Sequence, residues 1–279
     1  MKFILGTGNF NFKYQLDKKK KIKNIEKHNI IKKANELNFT FFDTSPDYGE
    51  AESIIGKEVS KKKQIITKTS KSIKKNNAEL ILQKVKNSFR RLRREQVYGI
   101  LIHDLEDFNK NQNEYLKAVA LIKLRGLAVK TGISLYTPND LFKLIKIWTP
   151  DFIQLPYNII DRRIENLNFL KLIKKNKIDL HVRSIFFKGL LTNENLKVKK
   201  LSKWNKIFTS WFKWCNKNNI SPYNACISFV LNNKQINKIV LGTDSEYQLK
   251  QIINFKKKKV KFPNFKLKNK FLLNPSLWS

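Results

Sequence analysis

Thr40-Phe41-Phe42-Asp43-Thr44-Ser45-Pro46-Asp47-Tyr48-Gly49 sets the plan of this 279-residue chain. A short apolar run meets a carboxylate, and a polar, proline-bearing turn follows at once. A strand wet on one face would alternate apolar and polar residues; an unbroken run of this length reads as a parallel strand covered on both faces. Seven further runs rich in Ile, Val, Phe, Leu or Thr have the same character: Phe3-Gly6, Ile65-Thr69, Gly99-Asp104, Val129-Ser134, Phe152-Pro156, Leu180-Ser184 and Lys238-Gly242. With Thr40-Thr44 they make eight predicted strands.

Helical spacing fills the gaps between them. Asn77 is placed to cap a helix running to Arg94, with Leu82, Val85, Phe89 and Leu92 as its apolar stripe and Lys, Arg and Glu on the far side. Pro138 reads as the first-turn proline of a helix carrying Leu141, Leu144 and Ile145. Similar segments fall near 26–38, 50–60, 113–125, 165–177, 205–217, 222–232 and 245–255. Strand–helix alternation from end to end predicts parallel strands joined by right-handed crossovers. Eight such units close into a (β/α)8 TIM barrel of the α/β class, expected as a single domain over 1–279. The helical segment near 205–232, between the seventh and eighth strands, is extra to that plan. The tail from about Lys256 is basic, then aromatic and proline-bearing, and is expected to wrap over the barrel.

Composition removes several function classes. No apolar run approaches the 18 residues of a membrane span, and the apolar stretch after Met1 is too short for the core of a signal peptide, so a cytoplasmic protein is expected. The net charge of +35 invites a nucleic-acid or anionic-membrane reading. The lysine runs Lys18-Lys21, Lys61-Lys63 and Lys256-Lys259 are scattered among asparagine and isoleucine, however, which is the pattern of solvated helix faces rather than one polyanion stripe. No specific nucleic-acid partner is expected. Cys215 and Cys226 read as reduced core thiols, and three histidines with no short ligand spacing predict no metal site.

In such a barrel the chemistry collects at the C-terminal ends of the strands. There the second strand offers Asp43 and Tyr48, the third Lys68 and the fourth His103, all at one level. A lysine near the end of a buried strand needs an anion, and Asp43 on the neighbouring strand supplies one. His181, two residues before Arg183 on the same strand face, is expected deeper in the barrel as a satisfied core histidine. Trp204, Phe208, Trp211, Phe212 and Trp214 are expected to pack the extra helix rather than line a pocket.

These residues, in this order, resemble the aldo-keto reductase superfamily. Asp43-Thr44-Ser45-x-x-Tyr48-Gly49-x-x-Glu52-x-x-x-Gly56 is similar to that family's first signature, and Lys68 and His103 complete its catalytic tetrad. Leu5-Gly6-Thr7, Gly132-Ile133-Ser134, Gln154-Leu155-Pro156-Tyr157-Asn158, Arg162-Arg163 and Leu241-Gly242-Thr243-Asp244-Ser245 extend the likeness over nearly the whole chain. Arg183-Ser184-x-Phe186-x-x-Gly189-Leu190-Leu191 is similar to bacterial members found near polysaccharide or sugar-nucleotide genes.

The resemblance implies reduction of an aldehyde or ketone, a sugar derivative among the candidates, by hydride transfer from NADP(H), with NAD(H) as the alternative. It implies Tyr48 as general acid, Lys68 as the cation that lowers its pKa, Asp43 as the partner of Lys68, and His103 as the group orienting the carbonyl. It places the cofactor against Ser134, Gln154, Arg183, Ser184, Gly189, Leu190, Gly242, Thr243, Ser245 and Gln248. Glu52 and Gly56 are expected to fix the segment after Tyr48. The chain departs from the family at Leu135, where an asparagine is common, and at Arg183, where a tyrosine commonly stacks on nicotinamide. It also lacks the Lys-Ser and Arg that many relatives use for the 2′-phosphate. A regulatory barrel that binds cofactor with little turnover is the competing reading. Oligomeric state is not legible.

Overall fold

The eight apolar runs become eight parallel strands in a computed structural model describing residues 2–11, 16, 22–70, 77–265 and 267–278. They are β1 (Phe3–Gly6), β2 (Phe41–Asp43), β3 (Gln64–Lys68), β4 (Val97–Ile102), β5 (Ala128–Ser134), β6 (Phe152–Pro156), β7 (Asp179–Arg183) and β8 (Lys238–Gly242). Each pairs with the next and β8 returns to β1, closing the barrel. The Lys18-Lys21 run lies outside the described residues.

Helices α1 (Asn24–Glu36), α2 (Ala51–Glu58) and α3 (Ala78–Leu92) follow the first three strands. Asn77 caps α3 by accepting from the Leu80 N–H at 2.8 Å. After β4 the sequence pattern missed a short helix, α4 (Leu105–Lys110), before α5 (Gln112–Leu124). Asp104 starts it by accepting from the Glu106 and Asp107 N–H groups, a cap that apolar periodicity does not register. Next come α6 (Asn139–Leu144), α7 (Leu167–Lys175), α8 (Asn205–Lys217), α9 (Pro222–Asn232), α10 (Glu246–Ile253) and α11 (Lys270–Leu273). Pro138 stands at the cap of α6 rather than inside it.

Two apolar layers form. The larger lies between strands and helices; the smaller fills the barrel with Ile4, Ile66, Leu101, Phe152 and Val240. Phe152 fits because Gly132 opposes it: a Cβ there would stand 2.1 Å from the Phe152 carbonyl oxygen. The extra segment packs as its aromatics predicted. Trp211 is fully buried, stacks on Trp214 at 5.4 Å and donates its indole N–H to the Leu191 carbonyl at 2.9 Å. The tail returns over the barrel, setting Trp278 edge-on to Phe187 at 5.0 Å. Cys215 and Cys226 are buried free thiols.

His181 differs from the satisfied core histidine expected of it. It does lie deep in the barrel, fully buried against Phe152 at 4.9 Å, but neither ring nitrogen has a hydrogen-bond partner. The acidic group nearest in sequence, Asp179, is taken by Lys130. Burial, with the charges of Lys238 and Lys130 added, pushes the His181 pKa down to about 3, so the ring is neutral.

Much of the positive charge sits outside the barrel. An open groove of about 740 Å³ is lined by Lys61, Lys86, Arg90, Arg93 and Arg94, and shares no residue with the strand ends described next. No described helix is long and apolar enough to cross a membrane.

Candidate active site

Parallel register brings the chemistry to one rim. Asp43 pairs with Ile66 and Lys68 with Leu101, so the ends of β2, β3 and β4 stand side by side. Lys68, only 2% exposed, donates from Nζ to Asp43 Oδ1 at 2.6 Å and to the Thr44 carbonyl at 2.9 Å. Gln154, reaching from β6, donates its amide to Asp43 Oδ2 at 2.9 Å. Both carboxylate oxygens are therefore occupied. Burial pushes the Lys68 amine below its ordinary pKa, Asp43 pulls it back up, and the Arg183 charge adds to the downward side.

The turn after β2 is built to hold Tyr48. Its N–H donates to the Ser45 carbonyl at 3.0 Å, and the Asp47 N–H donates to Ser45 Oγ at 3.2 Å. Gly49, at φ +64°, then takes a left-handed conformation that side-chain-bearing residues disfavour. Beyond it, Glu52 is fully buried in α2, where it accepts from Thr67 Oγ1 at 2.6 Å and Arg91 Nε at 2.8 Å. Gly56, one turn on, lets α2 touch the end of α3: a Cβ would stand 2.1 Å from the Arg91 carbonyl oxygen. The segment behind the phenol is thus fastened to β3 and α3.

Tyr48 and His103 meet at that rim, their rings edge to face at 5.9 Å. Lys68 Nζ lies 5.1 Å from the centre of the phenol ring. His103 donates its backbone N–H to Thr69 Oγ1 at 3.2 Å, and its Nδ1 lies 2.9 Å from Asp47 Oδ2 and 3.3 Å from Ser45 Oγ. The sequence pattern assigns no role to Asp47, the partner of His103. The only signal for it was a carboxylate directly before the tyrosine, in a turn that points it at the fourth strand.

Expectation and structure part over the phenol's pKa. Burial pushes Tyr48 above its ordinary value, Asp43 pushes the same way, and the cation that opposes them is Arg183. The expected lowering by Lys68 does not prevail, because Lys68 is held by Asp43 at 2.6 Å and burial of the phenol is the larger effect. Gly8 lies against the phenol: a Cβ there would be in van der Waals contact with it, 3.7 Å from Tyr48 Cζ and 4.0 Å from the hydroxyl oxygen.

The residues expected at the cofactor lie on the rim of β5 to β8. Ser134, buried, pairs in register with Gln154, whose amide is turned to Asp43. Arg183 stacks over Tyr136 at 4.9 Å and donates to the Leu135 carbonyl at 3.2 Å. The following loop is contorted, with positive φ at Ser184, Phe187, Lys188 and Gly189, and Leu190 buried beneath it. After β8, which ends at Gly242, Thr243 Oγ1 donates to the Ser245 carbonyl at 2.9 Å, and Ser245 Oγ caps α10 by accepting from the Gln248 N–H at 3.2 Å. Gln248 Oε1 accepts from the Asp244 N–H at 2.8 Å, and Asp244 Oδ1 accepts from Asn9 at 2.6 Å. A carboxylate therefore stands at the start of α10.

Comparison with known proteins agrees with the geometry. No curated protein sequence matches the chain. Among solved structures, the holo form of the aldo-keto reductase AKR11C1 from Bacillus halodurans is 19% identical, with a TM-score of 0.72 over 90% of this chain and 85% of that one. A Pseudomonas aeruginosa protein assigned to the aldo-keto reductases is 17% identical, with a TM-score of 0.65 over 90% and 88%. At those identities the likeness speaks for the fold alone. The model of the Aldo/keto reductase family matches residues 2–264, and the chain belongs to that family.

Proposed function

We propose that the chain reduces an aldehyde or ketone to the alcohol with a nicotinamide nucleotide, NADP(H), using Tyr48 as the acid. The observation that carries this reading is the meeting of Asp43, Tyr48, Lys68 and His103 at one rim.

The bound nucleotide supplies the hydride for the carbonyl carbon. Everything else falls to the chain. Because Tyr48 is held above its ordinary pKa, its proton is in place throughout the neutral range. Its O–H donates that proton to the carbonyl oxygen as negative charge develops there. Lys68, pinned by Asp43 at 2.6 Å and 5.1 Å from the ring centre, is a fixed cation placed to stabilise the phenolate that remains. Asp47 fixes His103 through Nδ1. With Nδ1–H given to the Asp47 carboxylate, the doubly protonated ring donates its Nε2–H to the carbonyl oxygen, which orients the substrate for both transfers.

The rim fits the nucleotide. Gly8 brings no side chain against the phenol, where a Cβ would stand 3.7 Å from Tyr48 Cζ. Ser134 and the carbonyl oxygen of Gln154 suit a carboxamide, and the loop of Ser184, Gly189 and Leu190 with Gly242, Thr243, Ser245 and Gln248 suits the phosphates. NAD(H) is the second reading, favoured by Asp244, whose carboxylate at the start of α10 opposes an additional phosphate. Fluorescence titration with NADPH and NADH, followed by a panel of carbonyl compounds, tests both. Binding of either nucleotide with oxidation during aldehyde turnover is the expected result. Absence of binding or of turnover would reject the reading, binding alone being the mark of the regulatory alternative.

A further inference from the structure

Folding gathers cations that the sequence scatters. The open groove of about 740 Å³ lies where strands begin, with Lys61 shortly before β3 and Arg93 and Arg94 shortly before β4. That is the opposite end of the barrel from Asp43, Lys68 and His103. Lys86 and Arg90 on α3 complete the basic lining. Lys86, Arg90 and Arg93 are four and three residues apart, so they share one side of the helix. Arg93 takes the left-handed turn that ends α3, at φ 53°, where glycine is the ordinary choice. Arg94 braces the groove: its Nη2 donates to the Val59 and Ser60 carbonyls, both at 2.9 Å, tying the loop before β3 to the loop before β4. Lys61, Lys86, Arg90 and Arg93 are exposed, and among the described residues none of the five cations is within ion-pair distance of a carboxylate. Glu95 is the one acidic side chain in the lining. Cations in the last turn offset the helix dipole, which accounts for Arg90 and Arg93. It accounts neither for Lys61, which comes from another loop, nor for Lys86, nearly two turns back.

We infer that this groove receives the sugar-phosphate backbone of a nucleic-acid duplex, without regard to base sequence. From Lys86 to Arg93 is about 10 Å along the helix axis, and one strand of a duplex rises about 3.4 Å per phosphate, so about three phosphates span the same length. Lys61, on the other loop, and the arginine forks supply the remaining phosphate contacts. Phe89, the one aromatic residue in the lining, is only 7% exposed, so no ring is offered for bases to stack on. That favours a duplex over a single strand, which needs such rings. The net charge of +35 draws a polyanion from a distance, and the groove fixes where it docks. The groove uses no residue of the Tyr48 rim, so its role stands or falls independently of the reductase reading.

Fluorescence anisotropy with two labelled DNA duplexes of about 20 base pairs and unrelated sequence, between about 50 and 200 mM potassium chloride, reads the interaction. Wild type should bind both alike. With five phosphate contacts at about 0.9 each, the log–log salt slope should be about −4.5, a loss of several hundredfold over that range. A triple variant, Lys86→Gln, Arg90→Gln and Arg93→Gln, removes three charges from the groove and keeps the bracing Arg94. Lys171→Gln, Lys174→Gln and Lys175→Gln remove three exposed charges from α7 and control for net charge. The groove variant should bind about tenfold or more weakly at low salt, with a slope shallower by about 2.7. The α7 variant should bind as wild type does. Thermal melts check that both fold.

Equal losses in the two variants would overturn the proposal by spreading the attraction over the whole surface, as would a groove variant that binds like wild type. Wild type that binds neither duplex would overturn it too, and binding of poly-glutamate instead would give the groove to an acidic protein face. Tighter binding of a single strand of the same length would reject the duplex. Displacement of the duplex by saturating NADPH would also overturn it, by putting the polyanion at the rim.

Discussion

Asp47 Oδ2 lies 2.9 Å from His103 Nδ1, in the turn whose next residue is Tyr48. One turn therefore sets both the acid and the group that orients the carbonyl. A hydrogen bond to a charged partner contributes about 1.5–3 kcal/mol, and each 1.4 kcal/mol in a barrier is about tenfold in rate. Asp47→Asn should lower kcat by roughly ten- to a hundredfold while leaving NADPH binding intact, and Asp47→Glu should recover much of the loss. Steady-state kinetics beside a fluorescence titration of each variant checks this.

The Asp43–Lys68 pair is buried, so its halves cannot be removed separately without penalty. Asp43→Ala leaves the Lys68 ammonium 2% exposed without its carboxylate, a situation that costs about 3–5 kcal/mol. Asp43→Asn with Lys68→Met in the same chain removes both charges and should cost clearly less than Asp43→Ala. Urea midpoints of the two proteins decide the order.

His181 gives an acid limb to stability. Its folded pKa is pushed down to about 3 from 6.5, so between those values the unfolded chain holds a proton that the folded chain does not. The stability tied to a neutral His181 is complete above about pH 6.5 and is lost as pH falls towards about 3, at about 1.4 kcal/mol per pH unit. His181→Leu puts an apolar side chain beside Phe152 in place of an imidazole without partners. It should match wild type at pH 7 and exceed it at pH 5 by about 2 kcal/mol in urea unfolding.

Gly56→Ala sets two opposed effects against each other. Alanine improves helix propensity by about 1 kcal/mol. Its Cβ, however, would stand 2.1 Å from the Arg91 carbonyl oxygen, and backbone cannot swing aside as a side-chain tip can. Overpacking of this kind costs about 1–3 kcal/mol, so the variant should melt below wild type and loosen the segment that carries Tyr48. A thermal melt with amide exchange at residues 48–52 reads both effects.

The barrel was legible because each strand announces itself. Ile65-Ile66 and Phe152-Ile153 put apolar side chains on both faces of their strands, where a one-sided strand would be wet on one, and the predicted edges of the strands fall within two residues of the observed ones. Asp43, Lys68 and His103 could be placed at one level because parallel strands of similar length end together. What escaped the sequence depends on side-chain direction across the rim. Asp47 meets His103 through a turn whose shape is set by Ser45 and Gly49. The choice of Gln154 for Asp43 is a contact between residues 111 apart in sequence, made across the barrel mouth. The unpartnered state of His181 follows from what is missing around it, which no pattern of residues displays. The raised pKa of Tyr48 follows likewise from its burial in the fold and from Asp43, which together outweigh the Arg183 charge.

Tyr48→Phe removes one oxygen atom and leaves the ring that packs at the rim. Single-turnover reduction of an accepted aldehyde by the NADPH complex, followed at the cofactor absorbance, tests the central claim most directly. The variant should bind NADPH as wild type does and lose the reduction step by about three orders of magnitude or more, within the range of a general acid added to a positioned charge. Equal rates from the two proteins would contradict the assignment of Tyr48 as the acid.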